Sequence, residues 1–335
     1  MTMDIAIVGA GMAGLSCADA LAARGHRVRL FDKGRGPGGR MSTRRMDTVR
    51  GIVSFDHGAQ YFTARHDGFR ALAMEWHKNG IVEPWPEIGD DAWVGVPGMN
   101  AVIRQMAQPH DVLFDCLVHG LVRQNAGWMV SGEGQMFGPF DAAVVAIPAE
   151  QAMALLSLHD FEMAREAMLA RSQPCWTGMF AFDERLPTDR RILRDHGIVV
   201  WATRNSGKPC RDGPETWVVQ ANGQWSADHI EDSSHVVSAS LFEALGDALN
   251  LDLPTPFVAQ AHRWRYALSA GIGAGSLWNA DLKLGACGDW LLGPRVECAW
   301  LSGRELSQQI GAPSAAEQAT KRGLRETELN RFAAA

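Results

Sequence analysis

The clearest hydrophobic pattern lies at the amino end of the chain, where two short apolar runs enclose an Ala- and Leu-rich segment. Residues 5–8 (IAIV) and 28–31 (VRLF) each have the length and composition of a strand buried in a parallel sheet. Residues 13–23 between them predict a helix, and Gly25 follows at the position where helices commonly end. The order of strand, helix and strand predicts the beginning of a parallel α/β fold.

Further apolar runs predict a second group of elements. Residues 141–147 (DAAVVAI) are typical of a buried strand that returns to the first sheet. Three runs predict antiparallel strands of a second sheet: residues 179–182, 197–201 and 216–220. We also predict an amphipathic helix over residues 233–249, with serines at its start, and another helix over residues 299–310.

Three glycines follow the first predicted strand in the spacing GxGxxG: Gly9, Gly11 and Gly14. The first permits a tight turn, the second lets a pyrophosphate approach the backbone, and the third allows helix and strand to pack closely. The helix N-terminus offers free N–H groups to the phosphates. Asp32 ends the second strand, where a carboxylate can bind ribose hydroxyls, and Lys33 follows it. This arrangement predicts a dinucleotide-binding site.

A second glycine-rich loop, RGPGGR, covers residues 35–40 immediately after this acidic residue. A simple NAD dehydrogenase needs no second phosphate-proximal loop here, whereas extended FAD has to be held from two sides. Arg40 would then neutralise phosphate charge. A solvated surface turn is the alternative, and we favour FAD because the two loops occur together.

Composition narrows the class of protein. The 335 residues carry a formal net charge of −6, with 46% hydrophobic and 21% charged residues, which is typical of a globular chain and argues against nucleic-acid binding through bulk positive charge. The six cysteines include no CxxC pair, so we expect reduced thiols in the cytoplasm and no metal site. No apolar run is long enough to span a bilayer, so we expect no membrane association.

Two further motifs combine glycine with polar residues. FDHGAQYFTAR, residues 55–65, contains a Gly-Ala pair that would let the backbone lie flat against a planar ring; a core strand ending in a tight turn is the alternative. LGACGDWLLGPRVECAWLSG, residues 284–303, has Asp289 after an apolar strand, at the edge where open α/β sheets bind ligands. The helix that follows could direct backbone N–H groups at the pyrimidine edge of a flavin.

Taken in order, the GxGxxG, GGR, HGAQYFT and GDW…RVECAWLSG motifs resemble those of bacterial renalases, within the monoamine oxidase-like flavoprotein superfamily. WATRNSGKP (residues 201–209) and AHRWRYA (residues 261–267) also resemble renalase segments. The resemblance covers most of residues 1–312 and is weakest over residues 150–200. It implies an α/β fold in which a Rossmann-type FAD-binding domain is interleaved with a mixed-sheet substrate domain, as in p-hydroxybenzoate hydroxylase and the amine oxidases.

The implied domains are discontinuous. The FAD-binding domain would comprise residues 1–62, 97–150 and 258–312, and the substrate domain residues 63–96 and 151–257. Residues 313–335 form a polar, Ala-rich tail that we expect to be a frayed helix or disordered.

The resemblance also implies non-covalent FAD and assigns its contacts. The ADP half would be held by Gly9, Gly11, Met12, Ala13, Gly14, Asp32, Lys33, Gly39 and Arg40, with the Val118 backbone at the adenine. Asp289 would bind the ribityl or pyrophosphate, and the flavin ring would be flanked by His57, Gly58, Ala59, Val296, Glu297 and Ala299. Cys298 stands where the resemblance leads us to expect glycine. We favour a packed cysteine there over a covalent flavin link.

The implied reaction transfers hydride from a 2- or 6-dihydro isomer of NAD(P)H to flavin N5 and then to O2, giving NAD(P)⁺ and hydrogen peroxide. The donor becomes an aromatic pyridinium, so no general base is needed. Candidate contacts with this small-molecule substrate are Gln60, Tyr61, Trp93, Arg204, Asn205 and His262. His262 could equally be a core residue, and residues 205–207 could be a simple turn.

Two alternative functions remain. A flavin amine oxidase would act on a small amine, commonly held between two aromatic rings, and the chain has only Tyr61 and Tyr266 for a tyrosine pair. A non-catalytic FAD- or NAD-binding protein would bind without turnover. The preferred isomer, the choice of NAD or NADP and the oligomeric state stay open.

Overall fold

The computed structural model describes residues 2–311 and arranges them as an α/β molecule with five sheets. Its strands are β1 (Asp4–Val8), β2 (Arg27–Phe31), β3 (Thr43–Thr48), β4 (Gly51–Asp56), β5 (Phe62–Thr63), β6 (Val82–Pro84), β7 (Ala92–Gly95), β8 (Asp111–Leu113), β9 (Val118–Gln124), β10 (Gly127–Gly132), β11 (Gln135–Phe140), β12 (Ala142–Val145), β13 (Ser172–Phe182), β14 (Ile192–His196), β15 (Val199–Arg204), β16 (Glu215–Ala221), β17 (Val258–Ser269), β18 (Leu277–Asn279) and β19 (Leu284–Ala286). Its helices are α1 (Met12–Ala23), α2 (Asp67–Lys78), α3 (Asn100–Ala107), α4 (Ala149–Leu156), α5 (Phe161–Leu169), α6 (Gly223–Asp228), α7 (Ser234–Leu249) and α8 (Val296–Gln309).

The first sheet contains the predicted strand–helix–strand unit and has the order β18-β19-β12-β1-β2-β8. β1 pairs in parallel with β2 on one side and with β12 on the other. Ile5, Ile7 and Val144 are fully buried in it, as expected for a sheet covered on both faces. The predicted strands and the helix of this unit are confirmed, and with them the Rossmann-type α/β fold.

Helices α1 and α8 pack against each other so closely that their backbones touch. A Cβ atom on Gly303 of α8 would lie 2.2 Å from the carbonyl oxygen of Ala13 in α1. The Ser16 hydroxyl donates a hydrogen bond of 2.7 Å to the Trp300 carbonyl. The prediction that this helix starts at residue 299 is wrong by one turn, because the extended Arg295 is the N-cap and Val296 opens the helix.

The second large sheet is antiparallel, in the order β14-β15-β16-β13-β17. Helix α7 covers it with Val237, Leu241 and Leu245, and the Ser233 hydroxyl caps that helix by accepting from the Val236 N–H. The predicted strands and helix of this region are confirmed. Residues 258–269, which we expected in the FAD-binding domain, instead form the edge strand β17 of this sheet, because they pair along most of β13.

The segment expected to open the substrate domain, residues 63–96, forms α2 and much of the small sheet β5-β7-β6. Its core residues Phe69 and Trp76 are buried in the same cluster as Leu15 of α1 and Trp300 of α8. Trp201 of the antiparallel sheet packs on this cluster from the other side. The segment therefore bridges the two large sheets.

Within residues 2–311, no helix has the length and apolar character needed to cross a bilayer. The expectation of a frayed or disordered tail concerns residues 313–335, which lie outside the described part of the chain.

Candidate functional site

The first glycine loop joins β1 to α1, and two of its glycines are required by protein contacts alone. Gly9 has a φ of +106°, and a Cβ there would lie 2.4 Å from the Ala146 carbonyl oxygen. A Cβ on Gly14 would lie 2.0 Å from the Gly9 carbonyl oxygen. A Cβ on Gly11 would meet no protein atom within 4 Å, so the protein itself does not require glycine there. The absence of a side chain at Gly11 keeps space beside the start of α1.

That start of α1 leaves backbone donors free for a ligand. Gly11 is the N-cap, and no side chain caps the helix, which continues through Met12 and Ala13. Uncapped N–H groups and the positive end of the helix dipole together bind anions. The space beside Gly11 therefore has the chemistry of a phosphate site.

Asp32 ties the two glycine loops together at the end of β2. One carboxylate oxygen accepts from the Ala10 N–H at 2.8 Å and the other from the Gly34 N–H at 2.7 Å. Each oxygen keeps a further acceptor position, which is available to ribose hydroxyls. Lys33 is exposed beside it. Val118, the residue expected at the adenine, is buried at the start of β9.

The second glycine loop faces the first and ends in a paired arginine. A Cβ on Gly39 would have the Gly11 Cα, at 4.0 Å, as its nearest neighbour. The Arg40 guanidinium binds both carboxylate oxygens of Asp289 at 2.7 and 2.5 Å. Two residues expected to contact the cofactor separately are thus one bidentate ion pair, which orients the remaining guanidinium N–H groups.

The HGA turn, residues 57–59, lies directly on this arginine. The Ala59 N–H donates to the Arg40 carbonyl oxygen at 2.8 Å, and a Cβ on Gly58 would lie 2.0 Å from the same oxygen. From the other side, the Trp264 indole donates to the His57 carbonyl oxygen at 2.8 Å. We expected the backbone at this Gly-Ala pair to lie against a planar ring. In the structure its close contact is with the Arg40 loop.

His57, His262 and Trp264 form a cluster of rings next to this turn. The two imidazole centroids are 4.9 Å apart, and each imidazole lies within 5.1 Å of the Trp264 ring. Burial lowers the pKa of His57 to about 3, helped by His262 and Arg44. Burial and Arg44 lower the pKa of His262 to about 4. Both imidazoles are neutral at pH 7, and the buried His57 Nδ1 has no hydrogen-bond partner among the described residues.

A buried charge network supports the turn from below. Asp56 accepts from Arg211 at 2.7 Å and from the Lys208 ammonium at 3.3 Å, and the Asp56 and Lys208 side chains are wholly buried. Although burial alone would raise it, Lys208 and Arg211 lower the pKa of Asp56 to about 2. Burial lowers the pKa of Lys208 to about 8, against the opposing effect of Asp56. At pH 7 the network therefore holds two cations and one anion.

Three residues expected to contact the substrate have hydrogen-bond partners inside the protein. Gln60 donates to the carbonyl oxygens of residues 56 and 58 and accepts from Lys208 at 3.1 Å, so both of its N–H groups are used. Asn205 bonds the backbone of residues 54 and 56 through both of its amide atoms. Arg204 is buried in an ion pair with Glu215 at 3.0 Å. Most of their polar atoms are thus used inside the protein, although the Arg204 Nη1 is buried without a partner among the described residues.

The other expected substrate contacts remain available. Tyr61 packs on Trp201, with ring centroids 5.5 Å apart, and on Trp85 at 6.1 Å. Trp93 is half-buried beside His77. Together with His262, Tyr61 and Trp93 stay candidate contacts that the described geometry leaves open.

The start of α8 is held by a carboxylate rather than by a capping side chain. Glu297, expected at the flavin, is buried and accepts from the backbone N–H groups of Arg65 and His66 at 2.7 and 2.6 Å. Its side chain therefore anchors residues 65–66, while the helix N-terminus around Val296 and Ala299 carries no side-chain cap. Cys298 is buried, and a Cβ on Gly293 would lie 3.8 Å from its sulfur.

Sequence reasoning missed Arg44, Lys208, Arg211 and Trp264 as members of this region. Lys208 lies in the WATRNSGKP segment that carries the resemblance, but its partner Asp56 is 152 residues away. The sequence offers one signal for Lys208, namely that lysine is scarce in this chain. Its burial could not be read from the sequence, and lysine is seldom buried unless it is paired.

Comparison with known proteins supports the fold. Residues 7–75 match the model of a NAD(P)-binding Rossmann-like domain. A 4,4'-diapophytoene desaturase of Staphylococcus haemolyticus is 53% identical over 45 residues, which span 13% of this chain and 9% of the desaturase.

Two solved structures share this fold over most of the chain. Putrescine oxidase bound to putrescine superposes with a TM-score of 0.73 at 13% identity, covering 92% of this chain and 99% of that one. Cyclohexylamine oxidase from Brevibacterium oxydans gives a TM-score of 0.71 at 12% identity, with the same coverage. The chain therefore has the mixed α/β fold of the amine oxidase-like flavoproteins.

Acidification should destabilise the protein through the two buried imidazoles. Histidine in an unfolded chain has a pKa of about 6.5. Both folded values are lower, so the unfolded state binds more protons below that pH. The stabilisation is therefore complete above about pH 6.5 and is lost as the pH falls through the folded values. Urea unfolding from about pH 7 to about pH 4.5 should give a steadily smaller free energy of unfolding.

The variant His262→Gln should flatten this dependence, whereas His119→Gln, at an exposed position, should leave it unchanged. If the free energy of unfolding depends on pH equally in His262→Gln and the wild type, the lowered pKa of His262 in the folded state is contradicted.

Proposed function

We propose that the chain is a renalase-like FAD-dependent oxidase that takes hydride from a 2- or 6-dihydro isomer of NAD(P)H and reduces O2 to hydrogen peroxide. The observation that carries the proposal is the character of the site beside the HGA turn. Its two imidazoles are neutral, and the charges around it are predominantly positive, from Arg44, Lys208 and Arg211 against Asp56.

The residues present fit FAD. The space beside Gly11, the facing Gly39 and the uncapped start of α1 suit a pyrophosphate. Asp32 suits an adenosine ribose. The unpartnered His57 Nδ1 is a buried polar atom that a ligand group could satisfy. We propose non-covalent binding, since the Cys298 sulfur is buried near Gly293.

The proposed chemistry makes few demands on the protein. Bound FAD would supply the two-electron acceptor, and the net reaction consumes the dihydronicotinamide, one proton and O2 and yields NAD(P)⁺ and hydrogen peroxide. Loss of hydride leaves an aromatic pyridinium, so no residue has to remove a proton from carbon or nitrogen. A reaction without a general base suits this site, because the Asp56 carboxylate is already paired with Lys208 and Arg211. The role left to the protein is to orient a flat ring.

An amine oxidase is the second candidate, and the shared fold with putrescine and cyclohexylamine oxidases favours it. Two observations weigh against it. A substrate ammonium would bring a charge among cations when it binds, which costs Coulomb energy in a buried site, whereas a dihydronicotinamide ring is neutral until it loses hydride. Tyr61 and Trp201 contact each other at 5.5 Å between centroids, which leaves no slot between these rings for an amine.

The expected setting follows from the same chemistry. We propose a cytoplasmic enzyme, since all six cysteines are free and the dinucleotide substrate is an intracellular metabolite class. Its partners would be the dihydronicotinamide and O2.

Anaerobic mixing of the purified yellow protein with each donor tests the proposal. The 2- or 6-dihydro isomers of NAD(P)H should bleach the flavin absorbance rapidly, whereas putrescine and cyclohexylamine should leave it oxidised. Bleaching by amines alone would favour the second candidate. A folded protein that retains no FAD would refute both oxidase candidates, whereas bound FAD that none of these donors bleaches would favour a non-catalytic binding protein.

Cofactor retention can be separated from folding at Gly11. Its φ of −85° and ψ of −172° accommodate valine, and its Cβ would meet no protein atom, so Gly11→Val should still fold, at a cost of about 1 kcal/mol for the poorer N-cap. It should nevertheless lose bound FAD, because the side chain would occupy the phosphate space. Gly120→Val is the matched control, since a Cβ there also meets nothing within 4 Å and the residue lies in β9, outside both glycine loops. Flavin absorbance per mole of protein measures the difference, and full retention in Gly11→Val would contradict the assignment.

A further inference from the structure

Strand register fixes the side of the β3–β4 hairpin on which Arg44 lies. Arg44 pairs with Phe55, and Met46 pairs with Val53. Side chains directly opposite each other in an antiparallel pair lie on one face. Phe55 and Val53 are buried in a cluster with Met179 of the antiparallel sheet. Arg44 therefore lies on the hairpin face that covers this sheet, whereas Arg45, one residue on, is exposed on the other face.

On that face Arg44 is a cation without a partner. It is half-buried, and it forms no hydrogen bond or ion pair through its guanidinium with the described residues 2–311. The imidazoles of His57 and His262 lie near enough to feel its charge, and both are neutral. The adjoining network adds Lys208 and Arg211 around the already paired Asp56, so no free carboxylate of that network is left for Arg44.

A half-buried guanidinium in this setting suits a phosphate. Its planar fork of donors can bind two phosphate oxygens at once, and it stays charged at every working pH. The phosphates of FAD would have other donors, namely the start of α1 and the Arg40 guanidinium. Arg44 lies four residues beyond Arg40, inside β3 and outside the glycine loop. With the FAD phosphates assigned to other donors, its anion is left to a second molecule.

We propose that Arg44 forms the anion subsite of the substrate, where it binds the diphosphate of a dihydronicotinamide dinucleotide whose ring lies near His57 and His262. This inference rests on the proposed function and names the part of the substrate that is recognised. Arg44 is then a specificity residue, which favours donors that carry phosphate over donors that lack it.

Substrate truncation in charge variants tests the subsite. The donors are 6-dihydro-NAD and 6-dihydronicotinamide riboside, which share the reacting ring but differ in phosphate. Arg44→Gln should raise KM for the dinucleotide by about tenfold to a hundredfold, the usual cost of losing a charge-assisted hydrogen bond, and leave KM for the riboside unchanged. Arg44→Lys should fall between, because it keeps the charge without the fork. The exposed control Arg45→Gln should leave both KM values within about twofold of the wild type, as is usual for exposed charges.

A binding measurement separates this inference from the proposed reaction. ADP-ribose, which carries the diphosphate without the reacting ring, should perturb the flavin absorbance of the wild-type holoprotein at concentrations that leave Arg44→Gln unperturbed. If the wild type oxidises neither donor, and ADP-ribose binds the wild type but not Arg44→Gln, the subsite stands and the reaction is wrong. If the dinucleotide is oxidised and Arg44→Gln changes neither its KM nor the binding of ADP-ribose, the subsite is wrong and the reaction stands. Loss of FAD in Arg44→Gln would overturn the subsite, since Arg44 would then bind the cofactor.

Discussion

The bidentate pair between Arg40 and Asp289 is the interaction on which the site depends, because it joins segments that are 249 residues apart. The Arg40 carbonyl oxygen is held as firmly as its guanidinium, since it accepts from Ala59 and leaves room only for glycine at position 58. One residue thus joins the second glycine loop, the HGA turn and the segment that follows β19. Breaking such a partly buried pair would leave an unpaired carboxylate and detach the second glycine loop from the segment that follows β19.

Close backbone packing places the start of α1 against the middle of α8. Gly303 lets α8 touch α1, and Gly14 lets α1 touch the loop that begins it. Both helices start without a capping side chain. Their first N–H groups therefore remain free to bind a ligand. An extended cofactor with phosphates at one end and a polar ring at the other would satisfy both starts at once.

Much of this arrangement was predictable from the sequence because its signals are local. The GxGxxG spacing, the buried strands and the serine cap of α7 each depend on residues within one turn or strand, and each is confirmed. Strand β17 was expected in the FAD-binding domain, yet it pairs with β13 of the antiparallel sheet. Its alternating pattern predicts a strand but carries no information about which strand it pairs with. The bridging position of residues 63–96 was missed for the same reason.

Polar site residues were harder to assign, since a ligand contact and a buried structural contact need the same residue types. Gln60, Arg204 and Asn205 lie in motifs that suggest binding, yet their partners are internal. Lys208 and Arg211 complete a network with Asp56 across about 150 residues of sequence, and no local pattern reports such a pairing.

Hydrogen exchange with and without added FAD tests the central claim, that one extended cofactor spans from the first glycine loop to the start of α8. FAD should protect residues 9–14, 38–40, 57–59 and 296–299 together, because those four segments line one space in the proposed complex. Protection confined to residues 9–14 and the end of β2 would contradict the claim, since it would describe a dinucleotide held by the strand–helix–strand unit alone.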